Sequence, residues 1–188
     1  PDFVIASCGT DRNVELETFF EDIGINVAYF SVNSFDDYLR VLKICTDITG
    51  CTDNYEEYGT KVAEEVDAAL ARVDDTHPTV LYVRASGKSC KVKNSEGSVL
   101  GEMLANMGCV NIADSNESLL EQLSMEVILE QDPDYIFVVL QSEDPAEAEE
   151  ILQTTLLDNP AWSTLTAVKE NRYYVMDANL YNMKPDAR

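Results

Sequence analysis

The apolar and polar positions between Asp53 and Val73 follow the spacing of one long amphipathic helix. Apolar side chains recur every three or four residues, at Tyr55, Tyr58, Val62, Val66, Leu70 and Val73. Asp53 is placed to cap the first turn, and Glu56 would complete a capping box. At 1.5 Å per residue this helix would be about 30 Å long, roughly the width of a small domain. The pattern fits either a surface helix of a single domain or a strut between two α/β units.

Apolar runs on both sides of this helix favour the strut. The chain opens with Pro1–Ala6 (PDFVIA), and the second half contains the similar run Pro133–Val138 (PDYIFV). Continuous apolar runs of this length are typical of parallel strands that are covered on both faces. Each run is followed by a helical pattern and then a short strand, at Val27–Phe30 and at Arg172–Met176. The repeat predicts two similar halves, one on each side of the helix.

The remaining periodicity predicts alternating strands and helices in both halves. In the first half, a helix over Glu15–Ile23 is followed by a second helix, which Ser34 or Asn33 caps and Gly50 closes. The second half shows four predicted strands, and the two not yet mentioned are Thr79–Val83 and Cys109–Ile112. Its predicted helices are Ser98–Met107, Leu119–Gln131 and Ala146–Leu157, and the segment 84–97 is predicted to be a polar loop.

The predicted fold is therefore α/β, with two doubly wound parallel-sheet lobes joined by a long helix. The predicted domains are a partial N-terminal lobe at 1–52, the linker helix at 53–74 and a C-terminal lobe at 75–188. The first half has fewer strands than the second, so we expect the first lobe to be incomplete and to continue ahead of Pro1. Lys184–Arg188 has the pattern of a helix start, which predicts truncation at this end as well. We expect the uncovered edge of the first lobe to promote self-association of the chain.

Composition narrows the classes of function. The 188-residue chain has a net charge of −22, which disfavours nucleic acid and anionic membrane surfaces as partners. Its longest apolar run, Tyr135–Leu140, is far too short to span a bilayer. The five cysteines include no C-x-x-C pair, and with the single His77 they give no metal-ligand spacing. Cys45 is predicted to be a buried thiol, and a Cys45–Cys51 disulfide is left open.

Several segments, in this order and around a long helix, resemble one family. They are Pro1–Ala6, Gly108–Ile112, Glu126–Leu129, Pro133–Ile136, Asn159–Trp162, Leu165, Ala167–Lys169, Arg172–Val175 and Lys184–Arg188. The chain resembles the substrate-binding proteins of ABC importers for ferric siderophores, haem and cobalamin.

The resemblance implies two lobes that hold a metal chelate between them, with no catalysis, no resident metal and no cofactor. It implies an extracytoplasmic protein, either a membrane-anchored lipoprotein or periplasmic, that delivers its ligand to an ABC permease and its ATPase. The alternative is an intracellular flavodoxin-like or Rossmann-like enzyme or module. No G-x-G-x-x-G or G-x-x-x-x-G-K-[ST] motif is present, so the usual phosphate-binding loops of nucleotide enzymes are missing.

Basic residues cluster once in this acidic chain, at Arg84, Lys88, Lys91 and Lys93. The sequence places them in a loop between a strand and a helix N-terminus, an end that attracts anions. They are either solvated loop residues or the partners of an anionic ligand, such as an acidic siderophore or haem propionates. An Arg side chain would bind such a ligand through a bidentate fork, and a Lys side chain as a point charge.

Further candidates come from the resemblance. The turn after the first strand faces the ligand cleft in this family, so Ser7 and Cys8 are candidate contacts, with a plain turn as the alternative. Tyr181 could stack on a ligand or bind haem iron, and Met183 could also face the cleft. An acidic residue at the position of Glu126 meets a basic residue of the permease in this family. The alternative for Glu126 is an ordinary surface carboxylate.

Overall fold

The computed structural model describes residues 1–8, 13, 15–32, 34–142 and 144–176. Within them the chain forms two compact units, Pro1–Asp67 and Ala68–Arg188. The predicted α/β class is confirmed, with sheets that are mainly parallel. The predicted domain boundaries at 1–52, 53–74 and 75–188 stay a prediction.

The first unit is built on two parallel strands. Its strands are β1 (Phe3–Ser7) and β2 (Asn26–Phe30), and its helices are α1 (Glu17–Asp22), α2 (Phe35–Thr49) and α3 (Thr52–Tyr55). Ser34 caps α2, because its Oγ accepts a hydrogen bond from the Asp37 N–H at 2.9 Å. Gly50 ends α2 with a φ of 71°, a left-handed conformation that favours glycine. Both boundaries agree with the sequence prediction.

The long helix starts one residue earlier than predicted, ends at Leu70 rather than Val73, and is interrupted by a π-helical segment. The helical run begins at Thr52, so Cys51 rather than Asp53 occupies the N-cap position, without a side-chain cap. A π-helical segment, Glu56–Thr60, separates α3 from α4 (Lys61–Leu70). Gly59 is buried here, and a Cβ on it would lie 3.2 Å from the Tyr55 ring and 3.3 Å from the Leu42 side chain.

The second unit contains a larger sheet in the order β4-β3-β6-β7, with β5 beside the start of β3. Its strands are β3 (Thr79–Ser86), β4 (Cys90–Lys93), β5 (Val110–Asn111), β6 (Tyr135–Gln141) and β7 (Tyr173–Met176). Its helices are α5 (Val99–Asn106), α6 (Glu117–Glu121), α7 (Met125–Gln131), α8 (Pro145–Leu152), a π-helical segment (Gln153–Leu157), a 3₁₀ turn (Trp162–Thr164) and α9 (Thr166–Lys169).

Two predictions for this unit are wrong. The polar segment 84–97 is not a loop, because β3 continues to Ser86 and returns as the antiparallel strand β4. Arg84, Lys91 and Lys93 therefore lie on strands. The predicted helix Leu119–Gln131 is two helices, since the backbone of Gln122 is extended and Ser124 caps a new helix.

The core of the molecule lies on the two faces of the larger sheet. The larger cluster joins alternate residues of β3, including Leu81 and Val83, to Ile136, Trp162 and Leu165. The smaller cluster joins Val80, Tyr82, Leu100, Leu104 and Val139 on the opposite face. Among the described residues of the first unit, no apolar side chain is fully buried.

The five cysteines all lie in described positions and are free thiols, so the Cys45–Cys51 disulfide does not form. Cys45 is half-buried rather than buried. Burial raises the pKa of the Cys90 thiol to about 12, which keeps this thiol protonated at neutral pH.

Candidate functional site

The β3–β4 hairpin brings three cationic residues to one face of the larger sheet. Arg84 is paired directly with Lys91, and Tyr82 with Lys93. Side chains that face each other across an antiparallel pair, and those two positions further along, share a face. Tyr82 belongs to the smaller core cluster, so Arg84, Lys91 and Lys93 share its side of the sheet. These three residues are called the basic cluster below.

The sequence forms this hairpin because buried and charged side chains alternate along β4. Cys90 and Val92 are buried in the larger core cluster, while Lys91 and Lys93 alternate with them and project from the opposite face. A short turn with the exposed Lys88 joins the strands, and the Ser86 Oγ accepts a hydrogen bond from the Ser89 N–H at 3.2 Å. The cluster thus lies at the carboxyl end of β3, where ligands of open parallel sheets bind.

The cations of the basic cluster repel one another, and no described carboxylate pairs with them. Burial lowers the pKa of Lys93 from its ordinary value, and the charges of Arg84 and Lys91 lower it further. No residue of the cluster forms an ion pair within the described part of the chain. By contrast, Arg40 and Lys43 on α2 have carboxylate partners at 2.7 and 2.5 Å. The cluster therefore presents uncompensated positive charge in a strongly acidic protein.

Two polar residues that sequence reasoning missed hold the end of β4 in place. Asn111 is 1% exposed, and its Nδ2 donates a hydrogen bond to the carbonyl oxygen of Lys93 at 2.9 Å. Asp114 accepts hydrogen bonds from the N–H and the hydroxyl of Ser95, at 2.8 and 2.7 Å. Asn111 belongs to the GCVNI segment, but nothing in its spacing points to β4, which is distant in sequence.

The other predicted ligand residues are not part of this cluster. Lys88 is exposed in the hairpin turn. Ser7 and Cys8 lie in the first unit, at the carboxyl end of β1, and both are exposed. The Cys8 N–H donates to the Phe30 carbonyl at 3.0 Å, which continues the pairing of β1 with β2. Tyr181 and Met183 lie outside the described residues.

Glu126 is exposed in the first turn of α7. A helix that leads into a parallel strand runs antiparallel to that strand, so α7 begins at the carboxyl edge of the sheet. The turn of the β3–β4 hairpin lies at the same edge. The Ser124 Oγ accepts from the Val127 N–H at 3.4 Å and fixes the start of this helix. Glu126 has no ion-pair partner among the described residues.

The described residues form neither a metal-binding cluster nor a membrane span. Across the described ranges, no three His, Cys, Asp or Glu side chains converge in a way that could hold a metal ion. Every helix in those ranges is too short or too polar to cross a lipid bilayer.

Comparison with known proteins places these features in a family context. A family model described as periplasmic binding protein matches residues 1–180. The search of curated proteins finds no match.

Solved structures give the same picture of the fold. An ABC transporter substrate-binding protein from Listeria monocytogenes EGD-e is 20% identical with a TM-score of 0.75, over 98% of this chain and 70% of that one. S. aureus IsdE complexed with heme is 18% identical with a TM-score of 0.66, and the match covers 94% of this chain and 67% of the IsdE chain. The iron-uptake system-binding protein FeuA from Bacillus subtilis is 18% identical with a TM-score of 0.71, and the match covers 93% of this chain and 62% of the FeuA chain. At these identities the likeness concerns the fold, and the chain spans only part of each of these proteins.

Proposed function

We propose a function for this chain on the basis that it belongs to the periplasmic binding protein family. Proteins of this family bind solutes outside the cytoplasm, are not enzymes and carry no cofactor. The chain would be the extracytoplasmic substrate-binding component of an ABC importer for an anionic metal chelate, a ferric siderophore, haem or cobalamin. It would hold the chelate between two lobes and deliver it to the permease and its ATPase. We include a lipoprotein anchor or a periplasmic location in this proposal.

The observation that carries the proposal is the basic cluster. Its three cations share one face of the β3–β4 hairpin, and burial, followed by the charges of Arg84 and Lys91, lowers the pKa of Lys93. An anionic ligand on this face would offset the repulsion, with Arg84 able to form a bidentate pair. Among proteins of the same fold, one is named for iron uptake and one was solved with heme. No feature of the described residues favours the flavodoxin-like or Rossmann-like alternative.

Calorimetric titration tests the ligand site. We expect Arg84→Ala and Lys93→Ala each to weaken binding of a ferric siderophore or haem about 10-fold or more, since each removes a charged hydrogen-bond donor. Lys169→Ala is the control, because Lys169 is an exposed cation of the same unit and ends α9, the helix that leads into β7. The proposal fails if both cluster variants bind these chelates as tightly as the control does.

Permease docking through Glu126 is the second part of the proposal. Glu126 is exposed at the carboxyl edge of the sheet and forms no ion pair with any described residue, so it is available to a basic residue of a permease. We expect Glu126→Lys to abolish chelate uptake and to leave chelate affinity unchanged. Glu150→Lys on α8 makes the same charge change at another exposed position and should leave uptake unchanged. Normal uptake with Glu126→Lys would remove Glu126 from the docking surface.

A further inference from the structure

A pocket of about 440 Å³ opens beside α7, wholly within the second unit. Its floor is apolar and is formed by Leu119, Leu120, Leu123, Met125 and Cys90. Leu119 and Cys90 are buried members of the larger core cluster, and the other three pack against that cluster. The pocket therefore lies on the side of the sheet that carries the larger core cluster, and it reaches the edge strand β4 at Cys90 and Lys91.

The rim of this pocket is polar and exposed. Glu121, Gln122, Thr155 and Asn159 lie around it, and the hairpin contributes Lys91. Met125, on the floor, directly precedes Glu126 in the first turn of α7. Glu126, the proposed docking carboxylate, does not line the pocket, but it lies on the same helical turn as a residue that does.

The charge of the surrounding chain points to the kind of partner. From Asn94 to Val168 the sequence contains no Lys, Arg or His, while acidic residues are frequent. This stretch includes α6, α7, α8 and the π-helical segment that carries Thr155. The residues that line the pocket include one cation, Lys91, and one anion, Glu121. The acidic helices around the pocket attract a basic partner and repel an anionic one, so an anionic chelate is disfavoured as the occupant.

We propose that this pocket receives an apolar side chain of the ABC permease, next to the basic permease residue that pairs with Glu126. This inference rests on the proposed function, and it adds a second, apolar anchor to the docking surface. An apolar side chain that enters a preformed pocket, surrounded by polar contacts that exclude water, is the usual arrangement of an energetic hot spot. The paired charges would orient the partner, and the pocket would slow its dissociation.

Substitutions at the rim can close the pocket without changing its floor. Thr155 is exposed, and its side chain forms no hydrogen bond with another described residue, so Thr155→Trp should cover the opening while the fold is kept. The matched control is Thr154→Trp, because Thr154 is the neighbouring exposed residue of the same helical segment and does not line the pocket. Gln122→Trp changes a second residue that lines the pocket, at a position where the extended backbone suits an aromatic residue.

The measurement is binding of the 188-residue chain to the permease–ATPase complex of the ABC importer that it is proposed to serve, held in lipid nanodiscs. We expect Thr155→Trp and Gln122→Trp to weaken this binding at least 10-fold, and Thr154→Trp to change it less than 2-fold. Thermal unfolding of each variant confirms that the fold is kept, and titration with haem and a ferric siderophore should give unchanged affinities.

Each of the other outcomes would contradict either the pocket inference or the proposed function. If both pocket variants bind the complex normally while Glu126→Lys does not, the pocket is not used and docking through Glu126 stands. If the pocket variants weaken chelate binding instead, the pocket holds the chelate and the inference is wrong. If the wild-type chain does not bind the complex, the proposed function itself fails and the inference fails with it.

Discussion

Asp134 links two strands that are far apart in sequence. One of its carboxylate oxygens accepts hydrogen bonds from both the N–H and the hydroxyl of Thr79, each at 2.8 Å. The Asp134 N–H donates in turn to the Thr79 hydroxyl at 3.0 Å. These bonds join the residues just before β6 to the start of β3, so they fix the register of the central parallel pair. The Asp of the second Pro-Asp pair is thus a structural residue, which the sequence repeat alone did not reveal.

Removing this carboxylate should destabilise the protein. We expect Asp134→Ala to lower the free energy of unfolding by about 1–2 kcal/mol, because Thr79 loses its hydrogen-bond partner. Asp2→Ala is the control, since Asp2 is the matching residue of the first Pro-Asp pair and is exposed. Urea unfolding of both variants is the measurement, and equal effects would contradict the role of Asp134.

The lowered pKa values of Asp132 and Asp134 also lead to a prediction of how the free energy of unfolding depends on pH. Hydrogen bonds from Thr166 lower the pKa of Asp132, and hydrogen bonds from Thr79 lower the pKa of Asp134. A carboxyl whose pKa is lower in the folded state stabilises the fold above its unfolded pKa of about 3.9. That contribution is lost as the pH falls through the folded pKa. We therefore expect the Asp132→Asn, Asp134→Asn double variant to lose less stability than wild type between pH 5 and pH 2. Parallel curves in urea titrations at these pH values would argue against this coupling.

The β3–β4 hairpin shows where sequence reasoning reached its limit. The alternation of strands and helices could be predicted, because buried strands and amphipathic helices have different periods. The sequence pattern does not predict the strand β4, because its two lysines and the short turn before it have the composition of a solvated loop. Only the placement of Cys90 and Val92 in the core distinguishes a strand from a loop here. The cationic residues were identified from their clustering, but their shared face required the strand register.

A glycine controls how helix α5 follows this hairpin. Gly101 is buried in the first turn of α5, and a Cβ on it would lie 2.6 Å from the backbone oxygen of Asn94 and 2.7 Å from the Ser98 Oγ. The backbone oxygen can move only if the segment that follows β4 moves. The comparable Gly59 would meet only side chains, at 3.2 Å or more, and these can adjust.

The two glycines should therefore respond differently to the same change. We expect Gly101→Ala to lower the free energy of unfolding by about 1–3 kcal/mol through overpacking. Gly59→Ala should cost less than about 1 kcal/mol, because the helix propensity of alanine offsets part of the strain. Thermal and urea unfolding give both values, and a larger loss at Gly59 than at Gly101 would refute the assignment.

At the scale of the whole molecule, the two units differ in how much apolar surface they bury. The second unit has core clusters on both faces of its sheet. In the described part of the first unit, large apolar side chains stay exposed, including Phe3 at 41%, Ile5 at 49% and Phe19 at 56%. At about 25 cal/mol per Å², a few hundred Å² of such surface is worth several kcal/mol, which is comparable to the stability of a domain. Sequence reasoning anticipated this difference from the number of strands in each half.

The exposed apolar side chains of β1 lead to a prediction of self-association. Phe3 and Ile5 occupy alternate positions of β1 and so share one face, which a second copy of the 188-residue chain could cover. The net charge of −22 opposes this contact, so we expect association at micromolar concentration to strengthen as salt screens the repulsion. Sedimentation velocity over a range of salt concentrations measures this association.

The double variant Phe3→Thr, Ile5→Thr should remain monomeric. By contrast, Val110→Thr, which changes a residue of the second unit that is 51% exposed, should associate like wild type. A wild-type chain that sediments as a folded monomer at every salt concentration would show that the first unit needs no such cover.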